Sequence, residues 1–241
     1  MIGRSVRTRA KSPLRRVLLL MLAALAAAAL LWLAWIASYI GWYRFQPPRE
    51  TAFMAQRLDE ARAKSPKASV QYRWVPYARI SVQLKRAMIA AEDARFTEHR
   101  GFDWEGIRNA LERNRKKGRV VGGGSTITQQ LAKNLFLSPE RSYWRKAVEA
   151  VATVLLEAML PKQRILELYL NVIEWGDGVF GAEAAAQRYF GVSAAQLSAE
   201  QAARLAAMTP SPRRFERKPD SAYLDDRVAT ILARMPAAVV P

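Results

Sequence analysis

Residues 17–41 limit the chain most: twenty-five consecutive positions carry no charge and are rich in Leu and Ala. As a helix this stretch would reach about 37 Å, against a bilayer hydrocarbon core of about 30 Å. Before it stand Arg4, Arg7, Arg9, Lys11, Arg15 and Arg16, with no acid among residues 1–16. Trp32, Trp35, Tyr39, Trp42 and Tyr43 gather toward its far end. Basic flanks stay on the cytoplasmic side and aromatic rings favour the membrane interface. The expected layout is therefore a cytoplasmic tail (1–16), one transmembrane anchor (17–41) and an extracytoplasmic remainder. A cleaved signal peptide is the alternative, but its apolar region normally runs only about 7–15 residues, which favours a retained anchor.

Pro47-Pro48 marks residues 42–50 as a short linker, leaving 51–241 for one good-sized domain. The net charge of +17 calls for an anionic partner: nucleic acid, anionic lipid or a phosphorylated substrate. The anchor puts the domain on the wrong side of the membrane for nucleic acid. With no cysteine there is neither a disulfide framework nor a thiolate metal site, and a single histidine argues against a His-built zinc site. Seven Trp and 51% hydrophobic residues exclude a wholly disordered basic chain.

The domain reads as mainly α, without internal repeat and with almost no strand. Residues 51–64 suit a polar helix and 70–80 extended chain or a short strand. Leu84, Met88 and Ala91 recur at the spacing of one buried helical stripe that should end at Glu92-Asp93. Phe96, His99 and Gly101 suit a bend, and Asp103 a cap for a helix with Trp104, Ile107 and Leu111 as its stripe. The charged run 112–119 and Val120-Val121-Gly122-Gly123-Gly124 suggest a mobile loop, a natural lid. Ser125 should cap a helix beginning at Thr126, which puts Thr126, Gln130 and Lys133 on one face. Glycines before a helix can cradle phosphate, but no Lys follows the last one, which excludes a P-loop. A long helix opens at Ser138-Pro139 and ends before Pro161, with Trp144, Val148, Val151 and Leu155 inward and Arg145, Lys146 and Glu149 on other faces. Helices over 162–171 and 182–190 follow, separated by a loop loosened by Gly176, Gly178 and Gly181. Ser198 and Gln201 form a capping box for a helix to Met208; Pro210-Ser211-Pro212 breaks it. The last helix follows Asp220 with Leu224, Val228, Ile231 and Met235 inward.

A carboxylate at a helix end, backed by apolar packing, is where a raised pKa and general-base work become available. Taken alone, Glu92-Asp93 is an ordinary solvated terminus, and the face bearing Thr126, Gln130 and Lys133 is a solvated face. An exposed Arg145–Glu149 pair contributes only about 0.3–0.5 kcal/mol.

Five blocks in order change that reading. They are Glu92-Asp93-Ala94-Arg95-Phe96-Thr97-Glu98-His99-Arg100-Gly101; Gly123-Gly124-Ser125-Thr126-Ile127-Thr128-Gln129-Gln130-Leu131-Ala132-Lys133-Asn134; Arg145-Lys146-Ala147-Val148-Glu149; Ile165-Leu166-Glu167-Leu168-Tyr169-Leu170-Asn171; and residues 181–190. Together, across about residues 77–212, the chain resembles the peptidoglycan glycosyltransferases, family 51 of the glycosyltransferases. The resemblance implies a lysozyme-like, mainly helical domain with a smaller membrane-associated lobe that includes residues 104–124. It implies polymerisation of lipid II, a disaccharide-pentapeptide on polyprenyl pyrophosphate, into glycan strands of the bacterial cell wall at the inner (cytoplasmic) membrane. Bifunctional relatives carry a transpeptidase domain after this one; no Ser-x-x-Lys occurs here, so transpeptidation is not expected.

By matching position, Glu92 would be the base that takes the proton from the acceptor 4-hydroxyl, with inversion at the donor sugar. Lys133, Arg145 and Lys146 would receive the leaving pyrophosphate. Glu149 would orient these cations or, through the pyrophosphate, hold a divalent ion (Mg2+ or Mn2+); no cofactor is certain. Asp93, Phe96, Ser125, Thr126, Gln129, Gln130 and Asn134 complete the expected substrate-binding set, while His99 is assigned to structure. Lipid II, the nascent glycan, membrane lipids and other cell-wall synthesis proteins are the expected partners. Two rivals stand beside this reading: a muramidase or lytic transglycosylase that cleaves glycan, and a non-catalytic anchored scaffold.

Overall fold

The computed structural model describes residues 13–119, 123–137 and 143–241, the side chains of Pro13, Tyr143 and Trp144 excepted. The tail residues Arg4, Arg7, Arg9 and Lys11, the glycine-loop positions Val120, Val121 and Gly122, the helix start at Ser138-Pro139 and the Trp144 side chain lie outside that description.

The apolar stretch forms α1, Pro13–Tyr43, long and apolar enough to cross a membrane. Its last turns are not free: Ile36, Ile40 and Tyr43 are buried against the domain, where α1 runs beside α6. Arg164 ties down the exit. Its guanidinium donates to the Tyr43 carbonyl at 2.7 Å and the Gln46 carbonyl at 3.1 Å, and lies over the Trp74 ring. Thr51 then caps α2, Ala52–Arg62, whose Phe53 and Met54 are buried, so this helix is amphipathic rather than polar throughout.

Behind α2 the domain is built from α3 (Val82–Glu92), α4 (Trp104–Lys116), α5 (Ile127–Phe136), α6 (Tyr143–Met159) and α7 (Lys162–Val172). After these come α8 (Ala182–Phe190), α9 (Ala199–Met208), α10 (Pro212–Arg217) and α11 (Ala222–Arg234). One group packs α3 against α9 and α11; the other packs α5 between α6 and α7 with α2 across it. Leu84, Met88, Leu131, Leu156, Tyr169 and Ile231 meet in one core. Each such side chain contributes about 1.5–3 kcal/mol when taken out of water.

The 176–181 stretch is not a loose loop. It closes a small sheet of β1 (Gln71–Tyr72), β2 (Glu174–Gly176) and β3 (Val179–Phe180), ordered β1-β3-β2, with β3 parallel to β1 and antiparallel to β2. Gly181 has φ +84°, and a Cβ there would stand 2.6 Å from the Asn171 carbonyl oxygen, so only glycine lets α8 start where it does. The fully buried Asn171 accepts from the Val75 amide and donates to the Val75 carbonyl, which pins the chain between β1 and α3.

Three further expectations change. α4 runs to Lys116, so residues 112–116 are helix and not loop; Glu112 and Lys116 pair at i, i+4 and all five are good helix formers or tolerated ones. Of the expected apolar stripe of α4, Trp104 (70% exposed) and Leu111 (64%) face outward while Ile107 is half-buried. In α6 the buried line is Val148, Ala152 and Leu156, while Val151 and Leu155 flank it half-buried. The last helix fulfils its pattern: Leu224, Ile231 and Met235 are buried, and Val228 packs beside them.

Candidate active site

Glu92 is the final residue of α3; the backbone leaves the helix at Asp93. Residues 94–101 then fold back as a bend stitched to the start of α5. Asp93 Oδ2 accepts from the Ile127 amide at 3.0 Å, and its Oδ1 meets His99 Nε2 at 2.8 Å. Thr126, not Ser125, is the N-cap of α5: its Oγ1 accepts from the Gln129 amide and donates to the Gly101 carbonyl at 2.6 Å. Gln129 returns its Oε1 to the Thr126 amide, closing a capping box. The positive φ of Gly101 (+87°) turns the chain, and a Cβ there would meet Thr153 Cγ2 at 2.7 Å. The first two sequence blocks are thus one mechanical unit.

That stitching engages several of the expected substrate-binding residues in the scaffold. Phe96 is fully buried in the core, with the Lys162 ammonium 4.5 Å from its ring centroid. The Asp93 carboxylate is 2% exposed and committed to Ile127 and His99. Thr126 Oγ1 and Gln129 Oε1 are engaged at the cap, and Thr126 Oγ1 also holds the Gly101 carbonyl; Thr126 and Asp93 border the cavity of Glu92, while Gln130 and Lys133 border a second one. His99 reaches the site through its contact with Asp93.

Glu92 is built differently. Its side chain is 13% exposed and lines a cavity of about 220 Å3 together with Asp103, Arg113, Gly124, Ser125 and Arg234. Oε2 accepts from Gln130 Nε2 at 2.8 Å, and Gln130 Oε1 in turn accepts from the Tyr169 hydroxyl at 2.9 Å. Oε1 is buried, accepts no hydrogen bond, and lies 3.5 Å from Arg227 Nη2. Burial pushes the Glu92 carboxyl above the ordinary carboxylate range, with Asp93 adding to the rise; Gln130 and Arg227 oppose it. Burial likewise keeps Tyr169 protonated, so it donates and does not add a second charge.

Gln130 also lines a second cavity of about 210 Å3, with Lys133, Asn134, Arg57, Glu174 and Thr209. Lys133 stands one helical turn from Gln130, about 5 Å along α5. Burial depresses its ammonium, Arg145 depresses it further, and Glu149 acts against both. Glu149 is itself buried, paired with Lys146 and 3.8 Å from Arg145 Nη1. Lys133, Arg145, Lys146 and Glu149 therefore form one charged cluster with an excess of cations, reached from Glu92 through Gln130. An arrangement with a buried, basic carboxylate on one side and paired cations on the other suits transfer to a hydroxyl with departure of an anion.

Among the described residues no three His, Asp or Glu side chains gather at one point. Since Glu149 is already matched by Lys146 and Arg145, the donor set does not fit a metal held by the protein alone. Sequence spacing did not reveal Arg227, Tyr169 or Arg57. Tyr169 reads as one more apolar position of α7, and Arg227 and Arg57 come from helices far from Glu92 and Lys133 in the chain.

A family model described as Transglycosylase matches residues 59–236. A protein of Dechloromonas aromatica (strain RCB) is 58% identical over 228 residues, covering 95% of this chain and 99% of its own length. One from Azoarcus sp. (strain BH72) is 55% identical over 222 residues, 91% and 95% of the two chains. One from Bordetella pertussis is 51% identical over 230 residues, 94% and 95%. Each of the three is named biosynthetic peptidoglycan transglycosylase.

Proposed function

The chain belongs to the transglycosylase family and is a peptidoglycan glycosyltransferase of cell-wall synthesis, and on that premise we propose how its residues divide the work. Glu92 takes the proton from the 4-hydroxyl of the incoming lipid II as that oxygen attacks the sugar carbon bearing the lipid pyrophosphate of the growing strand. The new glycosidic bond forms with inversion as the bond to the pyrophosphate breaks. A positioned base contributes typically about 10²–10⁴-fold. The observation that carries this reading is the setting of Glu92: nearly buried, on a cavity wall, and linked through Gln130 to the groove of Lys133.

Lys133, Arg145 and Lys146 stabilise the departing pyrophosphate, and Glu149 holds the three cations in place. Asn134 and Gln130 offer neutral hydrogen bonds to sugar or phosphate on the same groove, and Ser125 does so from the first cavity. No step passes through a metal ion; Mg2+ or Mn2+ would enter here only on the pyrophosphate itself.

The anchor α1 remains in the membrane with residues 1–16 in the cytoplasm and the domain outside it. Burial of Ile36, Ile40 and Tyr43 supports retention, because cleavage would strip a packed surface from the domain. The outward-facing Trp104 and Leu111 of α4, with Phe102 stacked on Trp104, support contact of this lobe with the bilayer, where both substrates are anchored. Incubation of the full-length protein with lipid II, and separately with finished peptidoglycan, tests the reading. Polymer from the first and no shortening in the second is expected; cleavage of the second without polymer from the first would give the site to a lytic enzyme.

A further inference from the structure

Glu92 pairs with Arg227, which comes from outside the segments that carry the rest of the site. α11 is the last helix and packs along α3 and α9. From it Arg227 sends Nη2 to within 3.5 Å of Glu92 Oε1, its sole ion pair among the described residues, and its Nε is buried without a hydrogen-bond partner. The guanidinium is therefore aimed at the carboxylate and not shared with a surface acid.

The surroundings of Glu92 make that cation necessary. The carboxylate is largely removed from water, it sits at the negative end of the α3 dipole, and Asp93 adjoins it. From α7 comes only the neutral Tyr169 hydroxyl, through Gln130 of α5. α9 packs along α3 with Ala202, Ala203, Ala206 and Ala207 buried, and the turn after α11 buries Met235. Asp103, Arg113 and Arg234 line the same cavity, the last two on exposed stretches of α4 and α11. Arg227 alone pairs with the acid. Gln130 hydrogen-bonds Oε2 while the Arg227 charge lies 3.5 Å from Oε1, so the two oxygens face different partners.

We infer that Arg227 is a positioning residue for Glu92: it supplies the charge that lets a buried carboxylate stay ionised and, with Gln130, sets its orientation. The assignment rests on Glu92 being the base. Removing the cation raises the pKa of the carboxylate, so a smaller fraction is ionised at a given pH and the acidic limb of the pH–rate profile moves toward higher pH.

The test uses the full-length enzyme with lipid II across pH 5 to 9. Arg227→Gln should lower kcat near neutrality by about tenfold or more with KM little changed, and move the acidic limb up by about one unit. Arg227→Lys, which keeps a charge but loses the fork, should recover most of the rate with a smaller shift in the same direction. Arg227→Lys also carries the test if Arg227→Gln does not fold. An unmoved acidic limb in a folded variant, or a loss of rate that tracks loss of thermal stability and is not restored by Lys, overturns the role. Glu92→Gln run alongside separates the two claims. If it is inactive at every pH while Arg227→Gln keeps the wild-type limb, only the Arg227 role fails; if it turns over, the base assignment fails first.

Discussion

At the scale of residues, the same polar side chains serve as scaffold or as chemistry according to depth. Thr126 is the clearest scaffold. Its hydroxyl caps α5 and holds the Gly101 carbonyl, so Thr126→Ala should cost about 2 kcal/mol, the sum of a lost cap and a buried carbonyl left without its donor. Urea unfolding of the two proteins checks this. Glu92 behaves oppositely. Its folded pKa lies above its unfolded value, so ionising it disfavours the fold; the penalty is present above the folded pKa and disappears as pH falls to the unfolded one. Glu92→Gln should therefore melt no lower than wild type near pH 7.5, with any advantage vanishing at acid pH, as thermal denaturation at two pH values will show. Spacing and resemblance pick out Glu92 and the cations as candidates, but spacing gives a face and not a depth. Hence nothing in the spacing shows that Asp93, Phe96 and Gln129 are buried in the fold.

Among elements, helix ends written in explicit capping chemistry are readable in advance. Asp103 accepts from the Gly106 amide at the start of α4, and Ser198 with Gln201 opens α9 as its pattern predicts. The start of α5 is one residue off because Ser125 and Thr126 are both competent caps, and the return bond to Gly101 selects Thr126. Of the sheet only β1 was legible, within the stretch 70–80; β2 and β3 were not, since strands of two or three residues carry no periodicity. α4 poses the functional question at this scale: two residues of a hydrophobic stripe that predicts a core face point outward instead. Trp104→Glu with Leu111→Glu should change thermal stability little, because both positions are exposed, yet lower turnover of lipid II presented in bilayers. Wild-type turnover in bilayers would show that this face does not meet lipid.

For the molecule as a whole, the anchor and the domain are joined by packing and not only by chain. Ile36 and Ile40 are buried, and Arg164 bonds the carbonyls of Tyr43 and Gln46 while paired to the nearly buried Glu167. Arg164→Ala should lose about 3 kcal/mol, since it strips a buried acid of its partner, and should speed proteolysis in residues 44–50. The long apolar helix itself was plain in the sequence; its docking was not, because nothing local pairs residue 43 with residue 164. The same distance hides Arg227 from Glu92. On the proposed reading, bringing such groups together sets the Glu92 carboxylate and a cluster of cations beside adjoining cavities, and the chemistry depends on that meeting. Turnover of lipid II by full-length Glu92→Gln protein, matched to wild type in circular dichroism and melting, probes it directly. Polymerisation should fall by about 10²–10⁴-fold with the fold unchanged; a folded variant that still polymerises within a few-fold of wild type would contradict Glu92 as the base.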